Sequence, residues 1–458
     1  MRTLDKIKKY IVREKKLGSL KPGDRIPSYH ELMKMFGGSS ATVQSAMKKL
    51  AAEGLVEIKN GLGVYLSGAS PLKIKLFMGS GHMDMSAMQE MIMRRVKAQN
   101  LYLDVELFDR ESLHNDKVQE YKHLGGNEKV YIVETSPGQN FSISGLANLQ
   151  DFEGFDEMAD DIIDEPIMDK TVSLPFYAIN HQIGMNLRLL SKAGVNPKII
   201  SGEDFSWHER VFMKCRERSV VPAVSYWSAY DTWWIAFMDY ILCSMLLKER
   251  NILPPYDRKP VYDTKSGREA FKILSGFDWE YDKKNKSKLF MYGGAAISFD
   301  EGSWFAVHCS ERSSEPVENF RLLPYTANGR KINYLSIACL QTYLAGNLTP
   351  DEKNRVFALL QILVSKDFQI EYCGKTGFLS VRKDMSATDY SWNTRPDFAA
   401  FVPGKNEINI WGQQFMPTKF RSAVSSYFDL YKFHGADLDL MLKCLDDKVI
   451  PETVAGGR

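Results

Sequence analysis

Residues 28–50 read SYHELMKMFGGSSATVQSAMKKL, a stretch that predicts two short helices separated by a turn. Ser28 followed by Glu31 is a capping-box pattern, in which the serine oxygen accepts a backbone amide and the glutamate bonds back. The Gly37–Gly38 pair ends that helix, and a serine at 39 or 40 can cap the next one. The apolar residues of the second helix recur at the spacing of one helical face: Val43, Ala46, Met47 and Leu50.

The segments on either side complete a small domain. Before the two helices, Leu4, Ile7 and Ile11 share one face of a further helix, which the turn at 21–24 ends. After them, residues 55–58 and 64–66 alternate as two short strands around Asn60-Gly61, a hairpin signal. The order helix, helix, turn, helix and two-stranded wing predicts a winged helix-turn-helix over residues 1–68.

The charge of this N-terminal part suits a polyanion. Residues 1–68 contain 13 of the 59 Lys/Arg and 6 of the 57 Asp/Glu, so 46 basic and 51 acidic residues remain for the rest of the chain. We therefore expect residues 1–68, called the head below, to bind a double-stranded DNA operator. Its small and amide side chains would contact bases and its basic side chains would contact phosphates. The predicted DNA-binding residues are Arg25, Ser28, Ser40, Thr42, Gln44, Ser45, Lys48, Lys59 and Gly61.

Several motifs in the head resemble those of the GntR family of bacterial regulators. They are GSLKPGDRIPSYHEL at 18–32, SSATV at 39–43, LAAEGLV at 50–56 and GLG at 61–63. The resemblance implies that Arg25 grips a phosphate, that the helix from Ser40 enters the major groove and that Gly61 tips the wing into the minor groove. The family commonly has arginines where this chain has Ser40 and Gln44, so the operator sequence does not carry over. Paired half-sites also predict a homodimer.

The body is predicted to be a separate α/β unit. Residues 69–71 form a short linker, and the body covers 72–458. Apolar strands at 72–78, 101–108 and 129–134, with a helical stretch after the first, predict an α/β architecture with mostly parallel sheets. Ligands of such sheets bind at the carboxyl ends of strands.

Four blocks farther along resemble the extracellular solute-binding proteins, the family that includes the maltose-binding protein. They begin at Leu174-Pro175-Phe176, with Gly184-x-Asn186 and residues 192–195 following. AAISFDEGSW at 295–304, FRLLP at 320–324 and TGFLSVRKD at 376–384 complete the set. The resemblance spans about residues 72–390 and implies a type II, two-lobed α/β domain, whose lobes are joined by a hinge crossed more than once and close on a solute.

The aromatic residues favour a sugar as that solute. All eight tryptophans lie at or after residue 207, and sugars combine flat C–H faces that stack on rings with hydroxyls that bond to carboxylates. We expect the ligand-binding residues to be Ser80, Asp84, Glu134, Tyr177, Asn180, Trp227, Tyr230, Asp231, Glu301 and Trp304.

The sequence predicts a cytoplasmic regulator with no enzymatic activity, cofactor, metal or membrane attachment. The N-terminus lacks the apolar core of a signal peptide, no apolar stretch is long enough to span a bilayer, and the six cysteines form no Cys-x-x-Cys pair. GKT at 374–376 imitates a phosphate loop but lacks the required upstream glycine. Two alternatives stay open: a GntR-type head on an aminotransferase-like pyridoxal-phosphate body, and a non-transcriptional cytoplasmic solute-binding protein.

Overall fold

A computed structural model describes most of the chain, including the head and both parts of the body. The described residues are 3–59, 63–67, 71–79, 83–99, 101–110, 129–135, 145–164, 169–224, 235–250, 262–275, 290–313, 315–344, 347–411 and 418–449.

The head contains the elements that its sequence predicts. They are α1 Thr3–Leu17, α2 Tyr29–Phe36, α3 Ser40–Ala52, β1 Val56–Lys59 and β2 Gly63–Leu66. The capping box of Ser28 and Glu31 is formed at the start of α2, and Ser39 caps α3. The two strands pair antiparallel. A core of its own holds the head together, built from Ile7, Ile11, Leu32, Val43, Met47, Leu50, Val64 and Leu66 among others.

The body begins with β3 Leu72–Met78, α4 Met85–Ala98, β4 Leu103–Asp109, β5 Val130–Thr135, α5 Phe155–Asp160 and β6 Leu174–Asn186. It continues with α6 Leu187–Lys192, α7 His208–Glu217, β7 Ala223–Val224, α8 Ile235–Arg250, α9 Lys265–Ser275, β8 Ile297–Gly302, α10 Phe305–Arg312, β9 Phe320–Leu323, β10 Tyr325–Ala327 and β11 Arg330–Leu344. The last elements are α11 Pro350–Leu363, α12 Lys366–Thr376, β12 Leu379–Ser380, β13 Ile408–Trp411, α13 Thr418–His434 and α14 Leu438–Cys444. No helix among the described residues is both long and apolar enough to cross a membrane.

Two separate hydrophobic cores divide the body into two lobes. The first-lobe core contains the apolar residues of β3, α4, β4, α11 and α12, and the second-lobe core contains those of α7, α8 and α9. Both long strands pass from one core to the other. In β6, Leu174 to Ile179 pack in the first core, whereas Ile183 and Met185 pack in the second. In β11 the order is reversed, because the two strands pair antiparallel, with Ser336 opposite Ile179.

The sheet is less parallel than the sequence predicts. The strand order is β4-β3-β5-β11-β6-β8-β7, and the pairs β3–β4 and β3–β5 are parallel as expected. The pairs β5–β11, β6–β11 and β6–β8 are antiparallel, so the expectation of mostly parallel sheets is wrong at the centre. The physical reason is the hinge: strands that cross between lobes run out and back, and they need no crossover helix to pair.

Candidate DNA-binding surface and solute-binding cleft

Helix α3 presents a polar face to solvent. Its buried side contains Val43, Ala46, Met47 and Leu50. Five of the predicted DNA-binding residues lie exposed on its outer side: Ser40, Thr42, Gln44, Ser45 and Lys48. Short polar and amide side chains on an exposed helix can bond to base edges in a major groove, and Lys48 can reach phosphates.

The wing lies close to Arg25. Backbone pairing joins Arg25 to Tyr65, and the side chain of Arg25 is exposed. A Cβ at Gly63 would lie 2.8 Å from Nε of Arg25, and Gly63 has a φ of +117°, so glycine lets the guanidinium pack against the strand. Arg25 therefore projects beside the wing, where it can contact a phosphate.

Ser28 has a local structural partner. Its hydroxyl donates to a carboxylate oxygen of Glu31 at 2.7 Å, and its backbone N–H donates to the same oxygen at 2.7 Å. These bonds lower the pKa of Glu31. Ser28 therefore fixes the start of α2, which holds the neighbouring backbone N–H groups at the exposed end of that helix.

A buried carboxylate lies where three parallel strands end. Glu134 is near the carboxyl end of β5 and is 1% exposed. Its Oε1 accepts the Tyr177 hydroxyl at 2.9 Å and an Arg110 guanidinium N–H at 2.9 Å, and its Oε2 accepts the Gly79 N–H at 3.0 Å. Gly79 directly follows β3 and Arg110 directly follows β4. The strand ends thus bring together one carboxylate, one guanidinium, one phenol and one backbone N–H.

Tyr177 connects Glu134 to the turn at residues 303–304. Burial, followed by the negative charge of Glu134, raises the pKa of Tyr177, which keeps the phenol protonated. The Tyr177 ring stacks on Phe378, with centroids 4.0 Å apart and planes at 8°. A Cβ at the preceding residue, Gly377, would lie 2.6 Å from Cα of Trp304 and 3.0 Å from the carbonyl oxygen of Ser303. Glu134, Tyr177 and the 303–304 turn are therefore neighbours through Gly377 and Phe378.

The end of β8 and the turn that follows it contain further buried polar groups. Glu301 is 1% exposed, and burial, then the charge of Asp300, raises its pKa. Glu301 Oε1 and Ser303 Oγ have no hydrogen-bond partner among the described residues. Most buried polar atoms in proteins are paired, so these two atoms have hydrogen-bonding capacity that the described residues do not use.

The hinge next to this site is held by amides. Asn180 in β6 donates through Nδ2 to Asn333 Oδ1 at 2.8 Å and to the Phe401 carbonyl at 2.8 Å. Its Oδ1 accepts Nε2 of Gln182 at 3.0 Å. Asn333 in β11 also donates to Glu407 and Asn409. The Asn180 amide therefore connects β6 to β11 and to the segment around Phe401, which leads to β13.

Comparison with known proteins identifies the family to which the head belongs. Residues 3–66 match the model of the family described as bacterial regulatory proteins, gntR family. The head is a GntR-type DNA-binding domain. The HTH-type transcriptional regulator LutR of Bacillus subtilis is 47% identical over 51 residues, which are 11% of this chain and 23% of that protein. The HTH-type transcriptional repressor YtrA of the same organism is 42% identical over 50 residues, 11% of this chain and 38% of that repressor. The chain thus matches well under half the length of either relative.

The body resembles solved solute-binding proteins. UgpB from Mycobacterium tuberculosis, solved with glycerophosphocholine, has a TM-score of 0.63 at 12% identity over 85% of this chain and 100% of that one. The GacH receptor of Streptomyces glaucescens has a TM-score of 0.62 at 14% identity, covering 82% and 97%. The cyclic α-maltosyl-1,6-maltose binding protein from Arthrobacter globiformis has a TM-score of 0.58 at 15% identity, covering 82% and 97%. At these identities the likeness shows the fold, a two-lobed solute-binding fold joined to the GntR-type domain.

The predicted ligand-binding residues do not all lie in one place. Glu134 bonds to Tyr177, whose ring stacks on Phe378, and the backbone of Trp304 lies against Gly377, although Trp304 is 2% exposed and packs in the first-lobe core. Glu301 lies in β8, opposite Gln182 of β6. Asp84 is exposed and caps α4, since its Oδ1 accepts the Ala87 N–H at 2.9 Å. Asn180 is fully buried in the hinge. Five predicted residues lie outside the described residues: Gly61 of the GntR-type domain, Ser80, Trp227, Tyr230 and Asp231.

Sequence reasoning missed part of the cluster around Glu134. Arg110 and Gly79 follow strands just as Glu134 ends one, so the strand-end rule that selected Glu134 could have selected them too. Ser303 lies inside the motif that pointed to Trp304. Phe378 carries no polar atom and only the fold places it against Tyr177.

Proposed function

We propose that this protein is a ligand-responsive transcription regulator, in which residues 1–68 bind an operator and residues 72–458 sense a small polyhydroxylated solute, with a sugar as the best candidate. The observation that carries the proposal is the Glu134 cluster: a buried carboxylate with three donors, placed at strand ends of a solute-binding fold that shares its chain with a GntR-type domain.

The chemistry of the cleft suits a molecule with several hydroxyls. Glu134 and Tyr177 provide an acceptor and a phenol, while Glu301 and Ser303 add buried polar atoms that can donate or accept. Proteins of similar fold have been solved with acarbose and with glycerophosphocholine. Both of these ligands are rich in oxygen atoms that accept hydrogen bonds. A buried site that satisfies such atoms discriminates strongly against analogues lacking them, because unpaired polar groups are costly.

Regulation would follow from lobe closure about β6 and β11. A solute can shift DNA binding only as far as it favours one arrangement of the body over another. We propose that two copies of the chain form a homodimer on paired half-sites, so that closure changes the separation of two heads. A protein that acts on a bacterial operator works in the cytoplasm.

A thermal-shift panel tests ligand binding. The panel contains maltose, maltotriose, acarbose and glycerophosphocholine, with amino acids and pyridoxal phosphate as the competing classes. A compound at about 100 times its Kd should stabilise the body by about 2.7 kcal/mol. Tyr177→Phe keeps the ring on Phe378 but removes the hydroxyl, so it should lose most of the shift. Tyr343→Phe is the matched control, since it removes a buried hydroxyl bonded to Gln341 instead.

Each alternative gives a different outcome. A shift with pyridoxal phosphate alone would replace the sugar proposal with the aminotransferase-like alternative. Sugar binding without any binding of a labelled 30-base-pair random duplex by the full chain would favour a non-transcriptional solute-binding protein. Equal loss of the shift in Tyr177→Phe and Tyr343→Phe would show that the cleft is elsewhere.

A further inference from the structure

The head touches the body directly, next to the end of α3. Gly54, two residues beyond α3, has a φ of +68°, and a Cβ added there would lie 2.6 Å from Cδ1 of the Tyr102 ring. Such a distance leaves no room for a side chain, so Gly54 and the ring are in close contact. The helix that presents the predicted base-reading residues therefore ends against the first lobe.

The body holds Tyr102 firmly in position. The Tyr102 carbonyl accepts the Leu72 N–H at 3.2 Å and a guanidinium N–H of Arg355 at 3.4 Å. The guanidinium carbon of Arg355 also lies 5.7 Å from the centre of the Tyr102 ring, at cation–π distance. Arg355 is in turn paired with Asp351 on α11. The ring that meets Gly54 is thus fixed to the first lobe by β3 and α11.

Strand β4 connects this contact to the cleft. Tyr102 immediately precedes β4, and Arg110 immediately follows it and pairs with Glu134. All seven residues of β4 pair with β3, from Leu103 opposite Leu72 to Asp109 opposite Met78. At about 3.3 Å a residue, the strand spans roughly 23 Å. A fully paired strand moves as a unit, so a displacement at Arg110 reaches Tyr102 with little loss.

We infer that β4 transmits the state of the cleft to the DNA-binding head, with Arg110 at its sensing end and Tyr102 at its signalling end. The inference rests on the proposed function, because it describes how the same cleft regulates DNA binding. A solute that bonds to Glu134 competes with Arg110 or changes its angle. That change shifts β4 together with β3, to which it is fully paired, and Tyr102 passes the shift to Gly54 beyond the end of α3.

A double-mutant cycle tests the inference without any solute. The full chain is prepared with Arg110→Met, Tyr102→Ala, both changes, and Tyr102→Phe, which keeps the ring. Glu134→Gln serves as a second cleft perturbation, should Arg110→Met fold poorly. Arg321→Met, which changes an exposed arginine on β9 of the same lobe, is the matched control. Hydrogen exchange of the peptide covering 51–59 is the readout, together with affinity for a labelled 30-base-pair random duplex.

The expected result is a coupling through the tyrosine ring. Arg110→Met should change exchange at 51–59 by about fivefold or more, in the wild-type and the Tyr102→Phe backgrounds. In the Tyr102→Ala background the same change should fall below about 1.5-fold, and Arg321→Met should have no effect. No response to Arg110→Met or to Glu134→Gln, or an equal response without the ring, would overturn the inference. The thermal-shift panel tests solute binding independently of this cycle. Failure of the proposed function can therefore be distinguished from failure of the inference about β4.

Discussion

Replacing Asn180 by alanine separates a hinge role from a ligand-binding role for this residue. The side chain is fully buried and makes three hydrogen bonds, to Asn333, Phe401 and Gln182. Asn333 and Gln182 each keep other bonds, to Glu407 and to the Ile332 carbonyl among others. The substitution therefore removes one shared connection from a network that remains otherwise in place.

The cost follows from the acceptors that lose their donor. Two acceptors, Asn333 Oδ1 and the Phe401 carbonyl, would each lose the Nδ2 hydrogen bond. An unsatisfied buried polar group costs about 1–3 kcal/mol, and water that enters the vacated space recovers part of this. We expect the free energy of unfolding of the body to fall by about 2–4 kcal/mol.

Urea unfolding followed by tryptophan fluorescence measures this change. Asn196→Ala is the matched control, because Asn196 is an exposed asparagine that caps a short 3-10 helix. It should cost at most about 1 kcal/mol. If Asn180→Ala costs no more than this control, the hinge argument is wrong. If its folded fraction also loses affinity for a panel compound that Asn196→Ala still binds, Asn180 supports solute binding as well as stability.

Three further predictions follow from the head, the hinge and the cleft. Lys48→Ala or Arg25→Ala should weaken binding to every duplex and lower the slope of log affinity against log salt concentration by about one, whereas Gln44→Ala should relax base preference at one position. Anisotropy titrations at several salt concentrations measure both effects, and an unchanged slope would contradict the phosphate role. Burial lowers the pKa of His181 to about 4, so the folded state disfavours protonation of this residue. The free energy of unfolding of the body should therefore fall by about 2 kcal/mol between pH 7 and pH 4.5, and His181→Gln should not show this fall. Parallel pH profiles of the two proteins would contradict the prediction. Burial raises the pKa of Glu301, so ionisation of Glu301 above pH 4.5 opposes folding, and Glu301→Gln should raise the melting temperature at pH 8 more than at pH 4; an equal gain at both would place the effect in packing.

The head could be predicted almost completely because its signals are local. A capping box, a glycine stop and an apolar stripe involve residues within a few positions of each other, and the structure has Ser28, Ser39 and the α3 stripe where these signals predict them. Local hydrogen bonds and spacing decide such elements with little help from the rest of the fold.

The cleft could be predicted only in part, because it depends on distant segments. The strand-end rule finds Glu134 since that rule needs only the strand and its direction. Tyr177 meets Phe378 across 201 positions of the chain, and nothing local to either residue indicates that contact. Trp304 shows the opposite failure. Its motif is clear, yet the fold buries the ring beside Gly302, so the motif alone does not indicate how much of the indole a solute can reach.

The Gly54–Tyr102 contact joins the head to the body directly, and its geometry suits the transmission of a signal. A ring packed on a backbone glycine is directional, since a shift of a few tenths of an ångström at Tyr102 either separates it from Gly54 or forces Gly54 to move. Close packing converts small displacements into discrete rearrangements. The direct contact between Gly54 and Tyr102 is therefore a suitable route for the proposed signal from the cleft to the head.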